Sequence, residues 1–583
     1  MGYLIDKNAK NVWVRDHADT EDLSVIPNAS SVYFNNGRTM EQEFGKGTMV
    51  SNVVTVDSSM EKVVEGTYDG AYESCKMYGK SLVNLMTNCK DEYVVRYHNP
   101  SDPNHTVANI SMMKPNTEYT LFYKAKYRTE GDGSGTSDSL KIATYIEQGF
   151  NIYTAQSFTT EYKQYVYSFT TSSVVDCFVF SSTDKYFAIK ECVLLEGDYT
   201  DQGIPYFEGL CDVKMPILKT VGKNLFPPLT EYDNITKNVT GSEYELTENK
   251  MIWNSEKIYT PSIGYYFNLK PNTKYTFSCS KEGNPEVIIF DRHSIDWDSN
   301  HSICTMSTIE TTIDGRKVCN FITRSDGKVC IRLSNATGYT VGCWIENCCL
   351  TEASISNAHV YEDYKTNILE TSNDVVLRGL PNGVKDSYDC LTGEYVQRVS
   401  GITLDGTQSV SMEGTLAYIH IADLVENNVS MSDALPSVRV NDVLEGVEGV
   451  AVQNRGNNSR IDININGLTT AEEITQRLQQ KPVTIQYQLA EPIVTTIEPS
   501  TTPFAYENGH IILESGYEGQ SLLPTLEYQT VVSRSGQVAM IDKTIQQHER
   551  KITLLEKMLV QNIIDIEYKN TLLALKLEID EVI

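Results

Sequence analysis

The chain has little histidine and little tryptophan, nine and four copies in 583 residues. The clearest histidines, His17, His98, His105, His293, His301 and His420, show no metal-ligand spacing on a helix, so no histidine-built metal centre is expected. Basic charge is also short. Against 77 Asp and Glu stand 49 Lys and Arg, a formal net charge of −28, which argues against nucleic acid because a phosphate backbone needs basic grooves. There is no apolar run of roughly 18 residues. Asp6, Lys7 and Lys10 interrupt any apolar stretch after Met1, so neither a membrane span nor a secretory signal is expected. The 13 cysteines form no paired framework, and Cys348 and Cys349 adjoin in one apparent strand with side chains on opposite faces. Reduced, buried thiols made in a cytosol are the expectation. Also missing are His-Glu-x-x-His, paired Cys-x-x-Cys, a Gly-x-Ser-x-Gly elbow and a phosphate-cradling glycine loop, so the chain is not expected to be an enzyme of those kinds. Glycoside hydrolysis needs only two carboxylates, and with 77 available the sequence singles out no pair.

What is present is repetition. MKPNTEYTLF, Met113 to Phe122, returns 156 positions later as LKPNTKYTFS, Leu269 to Ser278. IKECVLLEG, Ile189 to Gly197, returns at the same offset as IENCCLTEA, Ile345 to Ala353. Two segments repeating at one spacing mean that a whole module was duplicated in tandem. Such duplication raises avidity without new contacts. Each copy has a Pro-Asn-Thr turn, at Pro115 and Pro271, in which Pro presets the dihedral and Asn tolerates the corner; the motif is expected to open a strand. Alternating stretches such as Glu118 to Lys126 and Val329 to Leu333 predict two-sheet sandwiches of the jelly-roll kind.

The expected fold class is therefore mainly β, with two tandem jelly-roll sandwiches, a third α+β or β domain and C-terminal coiled-coil helices. The divisions are an attachment segment 1–70, modules at 71–210 and 211–365, a mixed β domain at 366–535 and a helical coiled coil at 536–583. In the third region a helix is predicted to open at Thr469 with Glu472 completing a capping box, to bury Ile474 and Leu478, and to stop at Pro482. The last stretch changes period. Ile545, His548, Ile552, Leu555 and Leu559 are spaced 3, 4, 3, 4; Ile563 and Ile566 continue, and Leu572, Leu575, Ile579 and Val582 resume after a stutter-like break. This seam predicts a homo-oligomer, and Ile and Leu mixed at both core positions permit a trimer. A helical hairpin packed on its own domain is the alternative.

Candidate ligand residues cluster in the second module. Trp253, Tyr265, Tyr266 and Trp297 offer flat rings for stacking on sugars, while Asp291 and Arg292 can take hydroxyls. Core or edge packing is the alternative for each ring. The acidic run Asp291 to Asp298 could supply oxygen ligands for a structural Ca²⁺. It lacks the glycine and terminal glutamate of a calcium loop, so solvated carboxylates are expected and no metal or cofactor is assigned.

Several segments resemble a known family. LRGLPNGVKDSYDCLTGEYVQRVSGITLDG, Leu377 to Gly406, and KPVTIQYQLAEPIVTTI, Lys481 to Ile497, are similar to linked motifs of tail and minor structural proteins from phages and prophages of Gram-positive bacteria. The module ends, CVLLEGDYTDQGIPYFEG and CCLTEASISNAHVYEDY, and the module starts, YGKSLVNL and VGKNLFPP, resemble the carbohydrate-binding-module-like jelly rolls of those proteins. SVYFNNGRTMEQEF, Ser31 to Phe44, is similar to short collar-like segments of phage fibres. The resemblance implies a virion tail, fibre or baseplate protein, commonly trimeric and made in the host cytoplasm, with other tail proteins and a host-surface glycan as partners. It implies no catalytic residues. A structural connector is the second reading and a polysaccharide-degrading tail enzyme the third.

Overall fold

The computed structural model describes residues 11–14, 31–34, 48–86, 89–95, 112–127, 140–146, 149–156, 160–173, 177–182, 187–200, 204–235, 244–254, 261–283, 285–296, 301–305, 311–335, 342–355, 357–456, 458–518, 522–533, 546, 549–550, 552–553 and 557. The chain is mainly β, and two short helices stand among its described elements. No helix among the described residues is long and apolar enough to cross a membrane.

A central framework is woven from distant stretches. Its seven-stranded sheet runs, in spatial order, Val425–Ser432, Val483–Thr496, Glu394–Leu404, Ser387–Asp389, Ser74–Tyr78, Thr525–Gln529 and Val54–Val56. A four-stranded sheet runs Thr366–Glu370, Pro216–Val221, His510–Ser515 and Met60–Lys62. One core joins them, drawing Val56, Met77, Val213, Leu377, Leu513 and Tyr528 out of water. The pairing crosses the sequence divisions: Ser74–Tyr78 lies between Ser387–Asp389 and Thr525–Gln529. Both modules thus leave the framework and return to it, the first between Val83 and Leu210, the second between Val221 and Thr366.

The duplication is topological. In module one the strands Tyr93–Val95, Glu118–Tyr127, Leu140–Ile146, Gly149–Gln156, Lys163–Thr170, Cys177–Ser182 and Phe187–Glu196 form sheets of four and three strands. In module two Lys250–Trp253, Lys274–Glu282, Pro285–Phe290, Ser302–Thr305, Arg316–Ile322, Lys328–Asn335 and Cys343–Glu352 take the same neighbours in the same chain order, within sheets of six and five. The two sheets of module two enclose one core, including Trp253, Tyr275 and Phe277 from one and Tyr265, Ile289 and Ile331 from the other.

The equal spacing of the signatures conceals exchanged loops. Residues 128–139 join the second and third strands of module one, whereas only Gly283 and Asn284 do so in module two. At the next connection the order reverses, with residues 147–148 in module one and 291–301 in module two.

The Pro-Asn-Thr turns open strands, as their residues require. Asn116 and Asn272 sit at φ 50° and 51°, the left-handed region that Asn tolerates. Thr171 and Thr323 clamp the corners: their Oγ1 atoms accept Thr117 N (3.0 Å) and Thr273 N (2.9 Å) and donate to Lys114 O (2.7 Å) and Lys270 O (2.6 Å).

Each module is closed at its root by a buried asparagine. Asn84 Nδ2 donates to Cys192 O (3.0 Å) and Phe207 O (2.7 Å), and its Oδ1 accepts Met86 N (2.9 Å) and Leu194 N (3.0 Å). Asn224 Nδ2 donates to Cys348 O (3.2 Å) and Glu362 O (2.9 Å), and its Oδ1 accepts Phe226 N (2.9 Å) and Leu350 N (3.0 Å). The repeat at the module starts is therefore in register on Asn-Leu, not on the shared Gly-Lys.

Residues 405–482, between Leu404 and Val483, which pair with each other, supply the framework's edge strand Val425–Ser432 and a further excursion on either side of it. The excursion holds a four-stranded sheet and the helices Val440–Leu444 and Ala471–Gln480. The longer helix buries Ile474 and Leu478 as expected. Its capping box is one residue later than expected: Thr470 Oγ1 accepts Glu473 N (3.3 Å), and Glu473 Oε2 accepts the N–H of both Thr469 and Thr470 (3.0 Å each). In this register one carboxylate collects two orphan donors.

Two expectations change or fall outside the structure. Cys304 and Cys319 are disulfide-bonded across the two sheets of module two, correcting the expectation of thiols throughout. The coiled coil gains no support: Ile545, His548, Leu555, Leu559, Ile563, Ile566, Leu572, Leu575, Ile579 and Val582 lie outside the described residues. Ile552 is helical and 55% exposed.

The motif Leu-Pro-Asn-Gly-Val-Lys-Asp at 380–386 is a turn tied down by its last residue. Gly383 takes φ 90°, and Leu380 N donates to Val384 O at 2.8 Å. Asp386 is fully buried, and its carboxylate accepts three backbone N–H groups, from Arg378 (2.9 Å), Arg398 (2.7 Å) and Val399 (2.9 Å).

Candidate functional site

The loop unique to module two, opening at Asp291, lies over the outer face of the five-stranded sheet. Strand alternation decides which aromatics face it. Ile263, Tyr265, Val287, Ile289 and Ile331 point into the sandwich, while Tyr266, Ile288, Phe290 and Cys330 point outward, with Ile295 of the loop packed on them. Gly264 is required beneath the loop, because a Cβ there would stand 2.2 Å from Ile295 Cγ2. Arg332 holds the loop down, donating from Nη1 to Ile295 O at 3.0 Å.

Charge anchors the foot of this loop. Asp291 is buried, with His301 Nδ1 at 2.8 Å from one carboxylate oxygen and the Arg324 guanidinium paired with the other. Arg292 Nη2 donates to Asp296 O at 2.9 Å. Asp291 is thus engaged with the protein's own cations and the Asp296 carboxylate with Ser294 Oγ, Asp298 lies outside the described residues, and no metal-holding group of three His, Cys, Asp or Glu occurs among the described residues.

At the open end Tyr266 and His293 form a rigid aromatic pair, rings 5.2 Å apart and 7° from parallel. Asn234 Nδ2 donates to Tyr266 Oη (2.9 Å), and Tyr266 N donates to Asp233 Oδ2 (2.5 Å). His293 Nε2 lies 3.0 Å from Phe267 O, so that nitrogen carries the ring proton in the neutral imidazole. Tyr266 is held at its hydroxyl and at its backbone, the His293 ring at Nε2, and Asn234 and His293 are exposed. The arrangement can stack a flat ring and offer an amide and a carboxylate beside it.

Of the six residues expected to bind ligand, three meet around this loop: Tyr266, Asp291 and Arg292. Trp253 and Tyr265 do not. Both are fully buried; Trp253 Nε1 donates to Pro261 O (3.0 Å) and Tyr265 Oη to Leu229 O (2.7 Å), so their polar tips are used inside the core. Burial pushes the Tyr265 hydroxyl far above its ordinary range. Trp297 lies outside the described residues. Sequence reading passed over His293, Asn234 and Asp233. One signal was available: in a strand reading IGYYFN, adjacent tyrosines must face opposite sides, so one belongs to the core.

A second concavity, about 180 Å³, lies where module two meets the framework, lined by Asp69, Lys223, Glu362, Lys365, Tyr506 and Glu507. Its charges are paired within the protein: Lys223 to Glu362 at 2.8 Å and Lys365 to Asp69 at 3.1 Å.

No family model matches the chain, and no curated protein matches it. Among solved structures it is similar to the CBM22-1-CBM22-2 tandem domain of Paenibacillus barcinonensis Xyn10C, at 8% identity and TM-score 0.15, covering 52% of this chain and 100% of that one. The ANXUR2 extracellular domain from Arabidopsis thaliana matches at 10% identity and TM-score 0.12, covering 47% and 94%. A structure of infectious bursal disease virus Gx strain matches at 7% identity and TM-score 0.12, covering 84% and 82%. Superpositions this slight carry neither a detailed fold nor a function to this chain.

Proposed function

We propose that this chain is a structural protein of a phage virion, in the tail, fibre or baseplate, that displays two jelly-roll modules and binds host-surface glycan through the second. The observation that carries this reading is the mounting. Two copies of one sandwich, each closed by an asparagine at its root, project from a framework woven from stretches before, between and after them in the chain. That is a design for holding and presenting modules. The two segments that most resemble phage tail proteins belong to this framework, where Glu394–Leu404 pairs with Val483–Thr496. The chain works without a cofactor, nucleic acid or membrane insertion, and it reaches the virion after synthesis in the host cytoplasm.

The glycan stacks on the Tyr266–His293 pair, with Asp233 and Asn234 taking hydroxyls. Tyr266→Ala is expected to weaken retention on purified host cell wall roughly tenfold, the worth of one stacked ring at about 1.4 kcal/mol. Equal retention by variant and parent would show that the wrong face was chosen. No retention by the parent would favour the connector reading, which the burial of Trp253 and Tyr265 also supports. Gold-labelled antibody on intact particles separates the positions, since a tip and a collar assign different jobs to the same fold.

The chain assembles as a homo-oligomer, a trimer, through the heptad seam after residue 540, and contacts other tail proteins. Removing residues 541–583 is expected to lower the mass measured by light scattering to that of one chain. An unchanged mass would refute assembly through this segment.

A further inference from the structure

Two cysteine pairs bracket the root of module one. On the framework side, Lys76 pairs with Asp389, and at the next rung Cys390 N donates to Cys75 O at 2.8 Å. Residues opposed in an antiparallel rung have Cα atoms about 4.5–5.5 Å apart, within the span of a disulfide. On the module side, Cys192 N donates to Cys89 O at 3.4 Å, and Cys192 O is held by the Asn84 clasp. Neither pair is joined by a disulfide in the structure, whereas Cys304 and Cys319 are.

We propose that Cys75–Cys390 and Cys89–Cys192 are dithiol sites that close into disulfides in an oxidising medium and staple the two sides of the root of module one, the first within the framework sheet and the second within the module. They join residues 315 (390 − 75) and 103 (192 − 89) positions apart, long loops whose closure constrains the unfolded chain most. Module two lacks the equivalent of the Cys89–Cys192 pair. Cys348 matches Cys192, but the residue five after the clasp asparagine is Cys89 in module one and Leu229 in module two. The site is thus specific to one copy.

The oxidant is a small disulfide such as oxidised glutathione. One cysteine, deprotonated, attacks a glutathione sulfur; the S–S bond of the oxidant breaks, a mixed disulfide forms and one glutathione leaves. The second cysteine, also deprotonated, displaces the other glutathione, so two protein thiols lose two electrons and two protons while the oxidant becomes two glutathiones. Burial and then its partner push the Cys75 thiol well above its usual range; the Cys89 contact and then burial do so for Cys192. Exchange therefore runs through opening of the root, in hours and not seconds.

The test uses the full-length protein, purified under reductant and then held in oxidised glutathione. Alkylation in denaturant and non-reducing peptide mapping are expected to recover Cys75–Cys390 and Cys89–Cys192 linked peptides. The thermal midpoint of the protein is expected to rise by about 5–10 °C. Cys89→Ser and Cys390→Ser should each abolish one linkage and part of the shift. Recovery of all four residues alkylated, or linked to other cysteines, overturns the proposal, and the mapping of the parent decides this even where a variant fails to fold.

Discussion

Asp386→Ala is expected to lower hydrogen-exchange protection along Glu394–Leu404 roughly 100-fold at pH 7, a loss of about 3 kcal/mol. The carboxylate accepts three backbone N–H groups from Arg378, Arg398 and Val399 in a fully buried site, and alanine leaves all three without a partner. Asp386→Asn keeps the oxygen facing Arg398 and Val399 but turns an N–H toward the Arg378 N–H, and should lose about half as much. The pH dependence has a definite sign. Burial pushes the Asp386 carboxyl up to about 6, against the three N–H groups and Arg378, which pull it down. An unfolded Asp ionises near 3.9, so between about pH 4 and 6 the folded state holds a proton that the unfolded state has released. Stability owed to this residue falls as pH rises through that window, by at most about 3 kcal/mol, and is level above it. Asp462 is raised to about 6 by burial as well and adds a slope of the same sign. The difference between parent and Asp386→Asn isolates the Asp386 share. Unchanged protection in Asp386→Ala would mean that the 380–386 turn does not tie the framework.

Asn224→Ala is expected to destabilise module two by about 3 kcal/mol while sparing module one. Four hydrogen bonds end on this side chain, and its removal strands two carbonyls and two N–H groups in the root. The readout is built into the sequence, because three of the four tryptophans, Trp253, Trp297 and Trp344, fall in module two. Denaturation followed by tryptophan fluorescence should show an earlier transition in Asn224→Ala and an unshifted one in Asn84→Ala, which should instead expose module-one peptides to protease. Asn224→Asp offers no rescue, since a carboxylate would set an oxygen against Cys348 O and Glu362 O. Coincident fluorescence transitions for parent and Asn224→Ala would remove the clasp from the account of how the modules are mounted.

Parts of the architecture were legible because short-range rules dictate them. The Pro-Asn-Thr turn needs one residue in the left-handed region, and Asn116 and Asn272 occupy it. The apolar spacing of Ile474 and Leu478 places both on one helix face, and they are buried. The cap was misplaced by one because Thr469 with Glu472 and Thr470 with Glu473 satisfy the same pattern; only the reach of one carboxylate to two N–H groups separates them. The candidate site was half legible. A tryptophan or tyrosine on a strand suits a core and a binding face equally by composition, and Trp253 and Tyr265 went inward where the facing sheet could cover them.

By itself the sequence determined that the chain is mainly β, that one module occurs twice, and where the repeated turns fall, since each depends on residues a few positions apart or on direct self-similarity. Tertiary structure alone decided that Lys76 meets Asp389, that Asn84 closes on Cys192, and that a loop with no counterpart in module one brings His293 onto Tyr266. Ladder hydrogen bonds are made by backbone groups common to every residue, so a strand's partner is chosen by the summed burial of its faces against the entropy of closing the intervening chain. That sum is not written in any local stretch of the sequence.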